Sequence, residues 1–153
     1  MNFIGKLILT LIVMVSCVHH VQASTVKGKY ILIKRSEQKL YYVKSKLLLK
    51  SFPVETSCDE SPTPAGRYTF VYKEEKRPFY KGNIAGGVSN NPLGEQWLDL
   101  NINGAKGNTF GLYGTNRVGS IGIKGSTRCI RMKNADVEWL YNHVARGTPV
   151  IIH

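Results

Sequence analysis

Gly111-Leu112-Tyr113-Gly114-Thr115-Asn116, continuing through Ser120-Ile121-Gly122 to Ser126-Thr127-Arg128-Cys129-Ile130-Arg131-Met132, is the stretch on which the reading of this chain turns. Its opening, from Thr109 to Tyr113, has the composition of a β-strand. Glycines at 114, 119, 122 and 125 then predict a convoluted loop that ends at Cys129. A cysteine is a nucleophile only as its thiolate, and nearby cations lower its pKa. Arg128 and Arg131 stand one residue before and two residues after Cys129. On these local grounds a reactive thiol stands beside two other readings, a disulfide partner and a buried thiol.

Downstream, Val137, Leu140, Tyr141 and Val144 recur at i, i+3, i+4 and i+7, which predicts one amphipathic helix over 134–146. Asn134 suits its N-cap, Asp136 and Arg146 complement the helix dipole, and Gly147 suits the left-handed C′ position. A last strand is expected at Val150 to Ile152. Upstream, three extended runs at 29–35, 40–43 and 47–54 read as a β-meander, and Arg67–Lys73 and Gln96–Ile102 as further strands. Residues 55–66 are punctuated by serine and proline, and 76–94 is a long excursion rich in Gly, Asn and Pro, a length often tied to function. The class is mainly β with one helix in the C-terminal half.

The first 23 residues carry one charge, Lys6, then an apolar run from Leu7 to Val18 and the small-residue pattern Val21-Gln22-Ala23. This predicts a signal peptide cut after Ala23, hence an exported protein, periplasmic or at the cell wall, with no stable membrane span. A retained anchor, or a lipoprotein-type cut before Cys17, fits the flanks less well. Residues 24–153 have the length of one domain, expected to be monomeric. The chain has 153 residues and a formal net charge of +11. Outside the cell that charge favours anionic surfaces such as wall polymers and acidic lipids, and nucleic acid is not an expected partner. Past the leader, Cys58 and Cys129 remain. No Cys-x-x-Cys or paired Cys/His spacing exists, so neither a metal nor a cofactor is expected. Lys124-Gly125-Ser126-Thr127 has the wrong order for a phosphate loop, and Asp59-Glu60 and Glu74-Glu75 are adjacent rather than opposed carboxylates. His143, on the helix beside Trp139, reads as structural.

The opening stretch, followed by Asn134 and Asp136-Val137, resembles the signature of YkuD-type L,D-transpeptidases. There the region reads approximately Ile-His-Gly-Thr-Asn, a spacer with Ser-Ile-Gly, and Ser-His-Gly-Cys-Ile-Arg-Met. Arg146-Gly147-Thr148-Pro149-Val150, Thr63-Pro64-Ala65-Gly66-Arg67-Tyr68 and Asn91-Pro92-Leu93-Gly94 are similar to further landmarks, so the resemblance covers nearly all of residues 24–153. It implies a β-sandwich or barrel and a cysteine enzyme acting on peptidoglycan stem peptides. In such enzymes the cysteine attacks the carbonyl after the third residue of a tetrapeptide stem, releases D-alanine, and passes the acyl group to an amine of another stem.

By position, Cys129 would be the nucleophile, at the floor of a cleft. Arg131, with Ser126 and Gly114, would lie on the substrate side, and the backbone around Arg128 and Cys129 would supply oxyanion donors. Two departures matter. The family's base histidine is matched by Tyr113, expected close to Cys129, and a phenol is a poor base at neutral pH. The glycine before the cysteine is matched by Arg128, which places a side chain where unusual dihedrals are expected but adds a cation able to stabilise the thiolate. A wall-binding module without turnover is the competing expectation. A Cys58–Cys129 disulfide that blocks the nucleophile is a further one.

Overall fold

The computed structural model describes residues 28–57, 60, 62–102, 110–126 and 128–153. The leader, Cys58 with its suggested disulfide, and Thr127 lie outside the described residues. Eight strands and one α-helix follow in the order β1 (Lys29–Lys34), β2 (Lys39–Lys44), β3 (Leu47–Pro53), β4 (Gly66–Glu75), β5 (Gln96–Leu100), β6 (Gly111–Thr115), β7 (Ile130–Lys133), α1 (Asn134–His143) and β8 (Pro149–Ile152).

Period-two alternation drives the sheet. Ile31 and Ile33 of β1, Leu40 and Tyr42 of β2, and Val150 and Ile152 of β8 all turn inward and are buried. With Phe70, Leu98, Leu112, Ile130 and Met132 they form one hydrophobic cluster. The strand order is β3-β2-β1-β8-β4-β5-β6-β7, with β8 parallel to β1 and antiparallel to β4. Just past β3, Glu55 and Arg131 of β7 exchange two backbone hydrogen bonds of 2.9 Å. The two ends of the sheet therefore meet, and the sheet nearly closes into a barrel, which protects strand edges. Among the described residues no helix is long and apolar enough to cross a membrane.

The predicted meander stands as β1–β3. Two elements differ from expectation. The helix ends at His143, not 146, because Val144 leaves it in an extended conformation (φ −110°, ψ 145°) that carries its side chain into the core. Gly147 (φ 83°) then sits in the turn toward β8 rather than at the helix C′, and its N–H donates to the Phe70 carbonyl at 2.7 Å. Lys133 flanks the helix start without a side-chain cap, and Asn134 is already helical. Val137 and Leu140, both fully buried, hold α1 to the sheet, each contributing about 2 kcal/mol relative to exposure.

The second difference is β7, which the sequence reading leaves unassigned between the loop that ends at Cys129 and the helix. Its four residues bury only Ile130 and Met132, and it pairs in parallel with β6. Of the expected strand at 109–113, the described part begins at Gly111 and runs on to Thr115.

Candidate active site

The parallel β6–β7 register sets Tyr113 directly beside Arg131 and Leu112 beside Ile130. Leu112 and Ile130 fill the core, so alternation turns Tyr113 and Arg131 to the opposite face, and Cys129, one step before Ile130, shares that side. Arg131 Nε donates to the Tyr113 hydroxyl at 3.0 Å, and an Arg131 terminal nitrogen donates to Glu55 Oε1 at 2.9 Å. The other Glu55 oxygen accepts from the Ser120 hydroxyl. Glu55 is 2% exposed, so this acid in a basic chain is a buried counter-charge that fixes one guanidinium in place.

Tyr113 is itself buried and stacks on Trp97, with ring centroids 5.1 Å apart and planes 14° from parallel, and the Arg77 guanidinium lies over the far ring at 4.6 Å. Burial pushes the Tyr113 phenol above its ordinary value, and the neighbouring Cys129 pushes it the same way, against the pull of Arg131. Cys129 is half-buried. Desolvation raises its thiol pKa, opposed by a hydrogen bond from the Gly111 backbone and by the charges of Arg131 and Arg77, while Asp99 adds to the rise. The mutual influence of Tyr113 and Cys129 fits their expected proximity. The cations acting on the thiol are Arg131 and Arg77, whereas Arg128 is exposed to solvent.

The loop before Cys129 is tied down from beneath by residues 54–57. Gly122 N–H donates to the Val54 carbonyl and Gly125 N–H to the Thr56 carbonyl, each at 3.0 Å. The buried Ser126 hydroxyl donates to the Cys129 carbonyl, and the Thr63 hydroxyl donates to the Arg128 carbonyl at 3.1 Å. Ser126 thus holds the Cys129 loop from inside. Gly114 faces α1 instead. A Cβ there would come within 2.0 Å of Asn134 Oδ1, and one at Gly94 (φ 62°) within 2.3 Å of the same atom. Both glycines admit the first residue of the helix. Tyr113, Arg131 and Cys129 therefore form one group, Arg128 and Ser126 shape its loop, and Gly114 serves the packing behind it.

A cavity of about 230 Å³ opens against this group, lined by Phe79, Pro92, Leu93, Tyr113, Arg117 and Arg131 among others. Cys129 is not part of its lining. One wall comes from the long 76–95 excursion. Its shape depends on buried Asn91, whose side-chain amide donates to the Arg77 and Ala85 carbonyls at 2.9 and 3.1 Å. Gly86 is required there because a Cβ would overlap the Lys76 carbonyl oxygen at 1.6 Å. The sequence reading missed Glu55, Gly111 and Asn91 as contributors. The signal for Asn91 was present in Asn91-Pro92-Leu93-Gly94, but nothing local distinguished Glu55.

Arg128 adopts φ 64°, in the left-handed region. A non-glycine residue there is strained by about 1–2 kcal/mol, partly offset by glycine's greater freedom when unfolded. Arg128→Gly is expected to stabilise the fold by about 0.5–1 kcal/mol, seen as a higher urea midpoint at unchanged slope. A lower midpoint would show that the Arg128 side chain holds the loop.

In sequence the chain is 32% identical over 123 residues to Bacillus subtilis YqjB, covering 80% of this chain and 70% of that one, and 32% identical over 106 residues to Bacillus subtilis YkuD, covering 69% and 54%. Both relatives carry the name L,D-transpeptidase, and the chain spans about half the length of the second. In structure it is similar to the catalytic domain of the Enterococcus faecium L,D-transpeptidase, with a TM-score of 0.64 at 19% identity, covering 84% of this chain and 99% of that one. An L,D-transpeptidase from Mycobacterium tuberculosis gives a TM-score of 0.65 at 18% identity, covering 82% and 57%. These structures share the nearly closed barrel. Residues 28–152 match the L,D-transpeptidase catalytic domain, YkuD, from its first strand to its last, and the chain belongs to that family.

Proposed function

We propose that this chain is an exported L,D-transpeptidase, one domain over 24–153, acting on peptidoglycan stem peptides through Cys129. The observation that carries this is the arrangement of Arg131: pinned by Glu55 and Tyr113, it lines the cavity and places positive charge on the Cys129 thiol. The Cys129 thiolate attacks the carbonyl carbon after the third stem residue. The tetrahedral oxyanion collapses to a thioester as the leaving D-alanine amine takes up a proton. An acceptor amine then attacks the thioester, sulfur leaves as thiolate, and the amine's proton passes to water. Arg131 faces the stem carboxylate, and backbone donors around Arg128 and Cys129 hold the oxyanion. Tyr113, neutral at physiological pH, orients Arg131 rather than taking a proton.

Incubating the protein with a disaccharide tetrapeptide tests this reading. Mass spectrometry should find an acyl adduct on Cys129 with loss of D-alanine, absent in Cys129→Ala. The raised thiol and the phenol at the base position favour one second reading, a wall-binding module without turnover. That module would bind purified sacculi and never form the adduct.

A pH dependence follows from the same shift. With the thiol pKa raised, the thiolate fraction at neutral pH is small and grows about tenfold per pH unit until the pKa is passed. Labelling of Cys129 by a carbapenem or by iodoacetamide is expected to climb from pH 7 to pH 9 without a plateau. A rate flat across that range would mean that the thiolate is already formed at neutrality.

A further inference from the structure

The β2–β3 hairpin carries a feature that the site does not use. Residues 44–51 are all exposed, and within them Leu47, Leu48 and Leu49 are 70%, 58% and 51% exposed. Leu47 and Leu48, paired with Lys44 and Val43, point to opposite faces, and Leu49 falls at an irregularity of the register, so both faces of the tip present leucine to solvent. The tip is well defined. Lys44 pairs with Leu47 across a two-residue turn, Ser45-Lys46, both residues in the left-handed region (φ 49° and 70°) that matches the twist of a hairpin. Lys44, Lys46 and Lys50 flank the leucines, and Lys50 lies over the Trp139 ring at 4.4 Å. Residues 28–54 carry seven cations and one acid, Glu37, which pairs with Lys34. Beside the tip, a shallow cavity of about 280 Å³ is lined by Tyr30, Tyr41, Lys34, Lys46 and Leu48.

We propose that this hairpin tip docks onto an anionic lipid surface, its leucines entering the interface and its lysines meeting the headgroups. Apolar residues ringed by lysine on a projecting element suit that partner, because the two contributions act together at a membrane surface. A second copy of the chain fits less well. Residues 28–54 are strongly basic, so two copies of this surface would repel each other. A hydrated anionic polymer would meet the lysines but leave leucines on both faces of the strand in water. The inference concerns this surface alone and does not depend on the chemistry at Cys129.

Co-sedimentation with phosphatidylglycerol and phosphatidylcholine vesicles tests it, using the protein as isolated from the cell envelope with its N-terminus read by mass spectrometry. All variants share that N-terminus, so any leader residues contribute equally. The wild-type protein should bind phosphatidylglycerol vesicles, not phosphatidylcholine, and detach in high salt. Leu47→Ser/Leu48→Ser/Leu49→Ser should weaken binding at least tenfold. Lys44→Gln/Lys46→Gln should weaken it about twenty-five-fold, at roughly fivefold per lysine. Lys50 is left in place because of Trp139. Both variants should keep the wild-type melting temperature and Cys129 labelling, since these side chains lie outside the core. Binding within twofold of wild type in both variants would overturn the proposal. So would retention of soluble polyphosphate without vesicle binding, or a dimer, seen by sedimentation, that the triple serine variant dissolves.

Discussion

Arg131→Met is expected to destabilise the protein by about 3 kcal/mol and to lower acyl transfer below detection. The stability effect comes from what the substitution strands. Glu55 is 2% exposed, and without the guanidinium its carboxylate keeps, among the described residues, the Ser120 hydroxyl. Breaking a buried pair by removing one partner typically costs about 3–5 kcal/mol, and the low end applies because the Arg131 side chain is 23% exposed. The activity effect comes from losing the fixed cation near Cys129. Urea unfolding measures the first and adduct formation the second. Adding Glu55→Gln to Arg131→Met should restore most of the stability but none of the activity, separating the two roles. If the single variant unfolds like wild type, water must reach Glu55, and the pair would not organise the site.

Tyr113→His is expected to raise the rate of Cys129 acylation at pH 7 by about ten- to a hundredfold. In the protein as it stands, both the thiol and the phenol are pushed upward by burial, so Tyr113 does not take the thiol proton at neutrality. An imidazole with an ordinary pKa near 6.5 would do so, and general-base assistance commonly contributes about 10²–10⁴-fold. The expectation sits below that range because histidine surrenders the hydroxyl that accepts from Arg131 Nε. The pH–rate profile is the sharper readout. It should gain a plateau near neutrality, whereas Tyr113→Phe should keep the rising profile. An unchanged profile in Tyr113→His would mean that the missing base does not limit the reaction.

The elements that could be read from the sequence were those whose pattern is local. β1 and β8 alternate buried with half-buried residues, β2 alternates from Lys39 to Tyr42, and the stripe Val137, Leu140 marks α1 without ambiguity. β7 escaped because four residues with two buried positions look the same as the end of a loop. It becomes a strand only through β6 on one side and Glu55 on the other. Glu55 was invisible for a related reason. A lone acid after an apolar run ordinarily signals a solvated turn, and only closure of the sheet buries it against an arginine 76 positions away. The strain at Arg128 was legible because the family resemblance marks that position as glycine, and its φ of 64° agrees with that mark. The motif singles out Cys129 as the candidate nucleophile. The sign of its pKa shift could not be read there, since flanking arginines suggest a lowered value while burial, a tertiary property, raises it.

The place of β8 bears on how the chain reaches this fold. β8, the C-terminal one of the described strands, lies inside the sheet between β1 and β4. A polypeptide leaving a ribosome or a translocation channel N-terminus first can form the β1–β3 meander early, yet β1 and β4 have no neighbour to join them until residue 152 has emerged. Until then the interior faces of Ile31, Ile33 and Phe70 lack Val150 and Ile152, and the Glu55–Arg131 clasp has no closed sheet to seal. Closure of the sheet is thereby postponed until residue 152 has emerged, and only then is Arg131 clasped by a buried Glu55 beside the thiol.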